Sequence, residues 1–217
     1  MDLQSYVFLP GEEYSGRDLL VAKHGILQGI SWKQAHFVLQ KKDAFMLPPR
    51  VFFHFLHYLN KERTYDGKGN RISDEEKKQL MFQFTDEWLD GHFTEDSGII
   101  YFERSHLLKG NGLIPQVRTI YDSLKSDRVS FTGINLTELI LQPTETGLPG
   151  INISRGEDYF LSPRLDGVVR WSSGNKNKGI ACRKHPNYID PTVTVREARF
   201  RENIERPSLE IIDEDNS

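Results

Sequence analysis

The hydrophobic pattern changes character close to Trp88, and this change limits the possible folds more than any other feature of the chain. Before it, apolar residues recur at spacings of three and four, which is typical of amphipathic helices. After it, short apolar runs of β type alternate with Gly, Pro, Asn and Asp. Helices followed by many short strands predict an α+β domain with irregular loops.

Three helices are predicted before the change, each at a recognisable start signal. A serine N-cap precedes the first, prolines in the first turn open the second, and a capping box opens the third. The signals are Ser31, Pro48 with Pro49, and Ser73 with Glu76. The first helix is expected to end near residue 42, the second carries an apolar stripe over residues 51–59, and the third runs to residue 84. A short strand is predicted at residues 7–9.

Strands are predicted in the second part of the chain wherever an apolar run is bounded by turn residues. These runs are 99–102, 139–141, 159–161, 168–171 and 193–195. Segments 105–115 and 142–156 are expected to be rich in loops. No fixed-period repeat or linker divides the chain, so one domain over residues 1–201 is predicted, with a helix-rich part at 1–86. Residues 202–217 are polar, acidic at their end, and expected to be mobile.

The overall composition excludes several classes of protein. Twenty-eight basic and 31 acidic residues give a net charge of −3, so neither nucleic acid nor an acidic membrane is an expected partner. The single Cys182 rules out a disulfide framework within one chain. The first ten residues lack a basic region typical of a signal peptide, and no apolar run approaches about 18 residues, so no membrane-inserted helix is expected.

Residues with possible catalytic or metal-binding chemistry each have a plainer structural interpretation. His54 and His57 are three apart on a predicted helix, but they lie among phenylalanines and are more simply interpreted as partly buried packing residues. Cys182 lies in a strand-like alternation that favours a buried, inert thiol. His92, His106 and His185 are too far apart in the chain to be assembled into a site from sequence alone. A cluster of acidic residues is expected to form a solvated face: Asp86, Glu87, Asp90, Glu95 and Asp96. The sequence therefore predicts no catalytic residue, metal site or cofactor.

Residues 168–199 form the most unusual stretch of the chain. Apolar β-like runs flank a polar, basic centre at residues 172–179. Ile180 and Cys182 alternate with Gly179, Ala181 and Arg183, so one face of a strand can be buried while the other stands in solvent. The following residues mix Lys, His, Asn and Tyr, a composition favoured in adaptable binding loops. An ordinary exposed loop beside an edge strand is the alternative interpretation.

Several motifs in and before this stretch resemble those of the variable proteins of diversity-generating retroelements found in archaea, their viruses and small-genome bacteria. The C-terminal motifs are Gly147-Leu148-Pro149, Ser162-Pro163-Arg164, Val168-Val169-Arg170-Trp171, and Val193-Thr194-Val195-Arg196. The N-terminal motifs are Gly29-Ile30-Ser31-Trp32, Tyr65-Asp66-Gly67-Lys68-Gly69 and Glu87-Trp88-Leu89-Asp90. This sequence differs from the usual pattern at Asn175 and Lys178, and continues beyond residue 199, where many relatives stop.

The resemblance implies a C-type lectin-like fold with a ligand-binding region over residues 168–199. In that family a reverse transcriptase rewrites adenines in the encoding DNA, which changes a fixed set of positions. The corresponding positions here are Ser172, Gly174, Lys176, Asn177, Gly179, Ala181, Arg183, Lys184, His185, Asn187, Tyr188 and Asp190. Ile180, Cys182, Pro186 and Val193 would form the constant framework.

The expected function is therefore recognition of a macromolecular partner, such as a protein on a cell or virus surface, by a non-enzymatic protein displayed on a surface or virion. Two alternatives remain open. Formylglycine-generating enzymes share this scaffold class but need a reactive cysteine or metal arrangement. A structural virion protein would have no diversified site.

Overall fold

The protein has the mixed α+β architecture predicted from the sequence. The computed structural model describes residues 1–11, 17–83, 85–110, 112–121, 131–149, 153–161, 163–173 and 178–201. Within these ranges the α-helices are α1 (Trp32–Gln40), α2 (Pro49–Leu59), α3 (Asp74–Phe82) and α4 (Leu136–Leu141). A short 3-10 helix (Leu3–Ser5) precedes the first strand. None of the helices in the described ranges combines the length and apolar composition needed to cross a bilayer.

The three predicted helix starts are confirmed, by serine caps at α1 and α3 and by the prolines that open α2. Ser31 accepts a hydrogen bond from the Gln34 amide while the Gln34 side chain returns to the Ser31 amide, completing a capping box at α1. Pro49 occupies the first turn of α2, where its missing N–H costs nothing. Ser73 caps α3 through the Glu76 amide. The predicted end of this helix at Phe84 lies outside the described residues.

A small antiparallel sheet brings together strands from the two ends of the described chain. Its strands, in spatial order, are β1 (Tyr6–Leu9), β2 (Leu19–Ala22), β12 (Glu197–Phe200) and β3 (Phe45–Met46). The predicted strand at residues 7–9 is therefore confirmed. Because β2 pairs with β12, the end of the unusual 168–199 stretch is anchored to a strand near the start of the chain.

A larger mixed sheet contains the remaining strands of the described residues. They are β4 (Glu87–Asp96), β5 (Ile99–Lys109), β6 (Gly112–Ile120), β7 (Phe131–Ile134), β8 (Arg155–Leu161), β9 (Val168–Ser172), β10 (Gly179–Lys184) and β11 (Thr194–Val195). The spatial order is β6-β5-β4-β9-β10-β8-β7, and β11 pairs with β4. The β10–β8 and β11–β4 pairs are parallel, and the others are antiparallel.

Two predictions about the second part of the chain are wrong. Segment 105–115, expected to be a loop, forms the turn end of a long β5–β6 hairpin, with Lys109 paired to Gly112 beside the turn. The apolar run 139–141, expected to be a strand, belongs to α4, because Asn135 caps this helix and Leu136 and Leu139 bury one helical face. The other predicted strands, at 99–102, 159–161, 168–171 and 193–195, lie within or overlap observed strands.

The hydrophobic core joins α2 to the large sheet. Phe52 and Phe53 of α2 pack against Trp171 of β9 at ring-centroid distances of 5.4 and 6.2 Å. Cys182 of β10 belongs to the same cluster. A second cluster contains Trp32, Trp88 and Val193, so the constant parts of the 168–199 stretch lie in the protein interior.

Candidate functional site

The predicted variable positions divide into interior and surface groups. Gly174, Lys176 and Asn177 lie outside the described residues. Ser172 ends β9, Gly179 and Ala181 belong to β10, and the others occupy the end of β10 and the loop after it.

The expected exposure of Ser172, Gly179 and Ala181 is wrong. Ser172 is 6% exposed and its hydroxyl donates to the Asp86 carboxylate, 3.1 Å from Oδ1. Ala181 is 4% exposed, and Gly179 is also buried. β10 is an inner strand between β9 and β8, and both of its faces are covered over residues 179–182. The sequence alternation therefore does not mark a solvent face here.

The chain reaches solvent after Cys182. Arg183 and Lys184 are half-buried, whereas His185, Asn187 and Tyr188 are exposed. We call these five residues the 183–188 face. The Lys184 ammonium lies 4.0 Å from the Tyr188 ring centroid, a cation–π contact.

The backbone of this face is fixed to the rest of the protein. Pro186 is buried, and its carbonyl oxygen accepts a hydrogen bond from the Lys33 amide of α1 at 3.0 Å. Ser31 forms a β-bridge with Ile189. Just beyond the face, Asp190 is half-buried and forms an ion pair with Arg170 at 3.0 Å. Exposed side chains are thus presented from an anchored loop.

A cavity of about 310 Å³ lies beside the 183–188 face. His185, Pro186 and Asn187 line one side, and residues of β4 and β5 line another. Asp166 bridges two histidines across it: its Oδ1 lies 2.7 Å from His92 Nε2 and its Oδ2 lies 2.8 Å from His185 Nε2. The Asp166 and His185 side chains are 54% and 57% exposed, so the cavity is continuous with solvent.

Buried titratable groups lie behind this cavity. The Asp90 carboxylate accepts hydrogen bonds from His106 Nδ1 at 2.5 Å and from the His106 amide at 3.0 Å. His36 Nε2 lies 3.5 Å from the same carboxylate. His36, Asp90 and His106 are 1%, 2% and 3% exposed. On the cavity side, His92 Nδ1 faces Glu103 Oε2 at 3.9 Å.

The protonation states of this cluster follow from its burial and contacts. Burial lowers the pKa of His36 to about 4. Burial also lowers the pKa of His92, although the Asp166 contact acts in the opposite direction. Burial alone would raise the pKa of Asp90, but the contact with His36 and the hydrogen bonds from His106 hold it below its ordinary value. At neutral pH the Asp90 carboxylate is therefore ionised, and the His36 and His92 imidazoles are neutral.

The cluster of acidic residues between positions 86 and 96 was expected to form a solvated face. This expectation is wrong for two of the five residues. Glu87 is 0% exposed because it forms a buried ion pair with Arg196, and Asp90 is buried against His106. Both carboxylates have strong interior partners, which compensate for their loss of hydration.

The sequence gives only weak signals for the histidine cluster. β4 and β5 pair with His92 opposite Glu103, which places His106 three residues further along the partner strand. A correct prediction of the β4–β5 hairpin from the sequence would have placed His92, Glu103 and His106 close together. His185 reaches the same cavity from a distant segment. His54 and His57 are half-buried on α2, as predicted.

Cys182 is the free cysteine of the described chain and is fully buried. Burial raises the pKa of its thiol far above the usual range. Its environment therefore opposes formation of the thiolate that nucleophilic cysteine chemistry requires.

No family model, curated protein or solved structure matches this chain.

Proposed function

We propose that this chain is a recognition protein of C-type lectin-like fold, a variable protein of a diversity-generating retroelement, and that it binds a protein on a cell or virus surface. The observation that carries the proposal is the 183–188 face: half-buried and exposed side chains, close together in the chain, on a backbone held by a buried framework. A binding surface that must change while the fold stays constant requires that the varying side chains be separate from the residues that hold the fold.

The composition of the face supports a role in recognition. Tyr188 supplies a large contact area at a low cost in conformational entropy, and Asn187 supplies both a donor and an acceptor. Arg183 and Lys184 add positive charge, and His185 is exposed beside them. This copy is therefore suited to a partner surface of negative charge.

The framework explains how such a face tolerates change. Ile180, Cys182 and Val193 are each 0% exposed, and Pro186 is buried. Substitution of exposed side chains usually alters stability by no more than about 0.5 kcal/mol. Partner specificity can then vary without loss of the folded state.

The structure also narrows the set of positions proposed to vary. A Cβ on Gly179 would overlap the Tyr159 carbonyl oxygen of the neighbouring strand. Ser172 and Ala181 have little space and fixed surroundings. We therefore assign ligand contact to the 183–188 face and expect only small residues at the three buried positions.

Of the alternatives, an enzyme of the formylglycine-generating type is not supported by Cys182, because its thiol is buried and its pKa is raised. A structural virion protein would leave the exposed positions without a binding role.

The DNA beside the gene provides the test. We expect a near-copy of the codons for residues 168–196 beside a reverse-transcriptase gene, with differences at adenines of the copy. Differences should concentrate at the codons of the 183–188 face. Absence of both the near-copy and the reverse-transcriptase gene would overturn the retroelement assignment. In that case, loss of an enzymatic activity in Cys182→Ser would favour an enzyme. Absence of any enzymatic activity would favour a structural protein.

A further inference from the structure

We propose that His92, Glu103 and His106 form a binding site for one divalent transition-metal ion of the zinc class. Each side chain offers a ligand atom, and these atoms lie within 4.8 Å of one another. Tetrahedral zinc holds nitrogen and oxygen ligands at about 2.0–2.2 Å, which places them roughly 3.4 Å apart. The separation of 3.9 Å between His92 Nδ1 and Glu103 Oε2 reaches this value with a small side-chain adjustment.

His106 is oriented as a metal ligand. Its Nδ1 lies 2.5 Å from the Asp90 carboxylate, which can only accept, so Nδ1 carries the proton. The Nε2 lone pair is then left buried, without a hydrogen-bond partner in the part of the chain that the structure describes. A carboxylate that fixes the outer nitrogen of a ligating histidine is a recurrent feature of metal sites.

His92 has the same arrangement with a different carboxylate. Its Nε2 donates to Asp166 Oδ1 at 2.7 Å, which leaves the Nδ1 lone pair directed at Glu103. A lone pair facing a carboxylate oxygen is repulsive unless a cation lies between them. Arg118 Nε holds the other oxygen, Glu103 Oε1, at 3.1 Å and so leaves Oε2 available.

The neighbouring set of His36, Asp90 and His106 is a weaker candidate. Its ligand atoms also lie within 4.8 Å of one another, but all three side chains are buried. Asp90 already accepts two hydrogen bonds from His106. By contrast, His92, Glu103 and His106 line the solvent-connected cavity of about 310 Å³, through which an ion can enter and a fourth ligand can bind.

The ligand set selects the class of ion. Two imidazoles and one carboxylate suit zinc and related first-row transition metals, whereas calcium and magnesium prefer sets made only of oxygen. The inference does not depend on the proposed recognition function, since it concerns residues outside the 183–188 face. It reverses the sequence-based expectation that the chain holds no metal.

The test is calorimetric titration of the untagged, chelator-treated full chain with Zn²⁺. We expect one ion per chain, with affinity at least tenfold lower in His92→Gln and in Glu103→Gln. His24→Gln, which changes an exposed histidine, is the matched control and should bind like the wild type. Asp166→Asn should weaken binding about tenfold, because Asp166 positions His92.

Absence of stoichiometric binding by the wild type, or equal affinity in His92→Gln, Glu103→Gln and His24→Gln, would overturn the proposal. A second measurement needs no variant. Co²⁺ added to the wild-type chain should give the intense visible bands of a low-coordinate site, which Zn²⁺ then abolishes. Weak bands like those of hydrated Co²⁺ would count against the site.

Discussion

Replacement of Arg196 by Met tests whether the framework behind the 183–188 face depends on one buried ion pair. Arg196 is 2% exposed, and its Nη2 and Nε lie 2.6 and 3.2 Å from the two oxygens of Glu87. Its Nη1 also donates to the Ala22 carbonyl oxygen at 2.8 Å. The side chain thus joins the segment between β11 and β12 to β4 and to the end of β2.

Arg196→Met keeps much of the apolar volume but leaves the Glu87 carboxylate buried without its cation. Breaking a buried pair on one side typically costs about 3–5 kcal/mol. Domains are usually stable by only about 5–15 kcal/mol, so this loss is a large share of the total. We expect the urea midpoint and the melting temperature to fall markedly, with the m-value unchanged.

Arg199→Met is the matched control. Arg199 lies in the adjoining strand, its side chain is 22% exposed, its Nε is 3.5 Å from Glu197, and its Nη1 donates to the Lys42 carbonyl oxygen. We expect this change to cost about 1 kcal/mol or less. The double variant Glu87→Gln/Arg196→Met should recover part of the stability lost in Arg196→Met, because it no longer contains an unpaired buried charge. An Arg196→Met variant no less stable than Arg199→Met would refute the reasoning.

Three further predictions concern the 168–199 stretch. Gly179→Ala should lower the free energy of unfolding by about 1–3 kcal/mol in urea titration, since its Cβ would overlap the neighbouring strand; an unchanged midpoint would contradict the assigned packing. Alanine at Arg183, His185 or Tyr188 should leave the melting temperature nearly unchanged, and a large loss at all of them would show that they belong to the core. Cys182 should resist thiol reagents in the native protein at pH 8 and react fully in denaturant, whereas rapid native labelling would show that the thiol is accessible.

The parts of the fold that the sequence predicts well are those set by local interactions. The start of α1 was predictable because a serine cap acts within one turn of the helix. The apolar stripe of α2 was predictable because buried residues recur with the helical period. Leu139 shows the limit of this approach. A short apolar run is compatible with a strand or a helix, and here the Asn135 cap decides for a helix.

The site depends on pairing between distant residues, which a single sequence does not encode locally. His92 and His106 meet only because β4 and β5 form a hairpin, and His185 joins them from a loop after β10. Likewise, the buried state of Glu87 depends on Arg196, a residue 109 positions away in the chain. The clustering of acidic residues in the sequence therefore favoured a solvated face, whereas Glu87 and Asp90 are buried in the structure.

Saturation mutagenesis of the predicted variable positions, scored by recovery of folded protein, tests the central claim most directly. If the 183–188 face is a substitution-tolerant surface on a rigid framework, Lys184, His185, Asn187 and Tyr188 should accept polar, charged and aromatic residues alike. Gly179 and Ala181 should accept only small residues or none. Equal restriction at both groups, or free substitution at Gly179, would contradict the account.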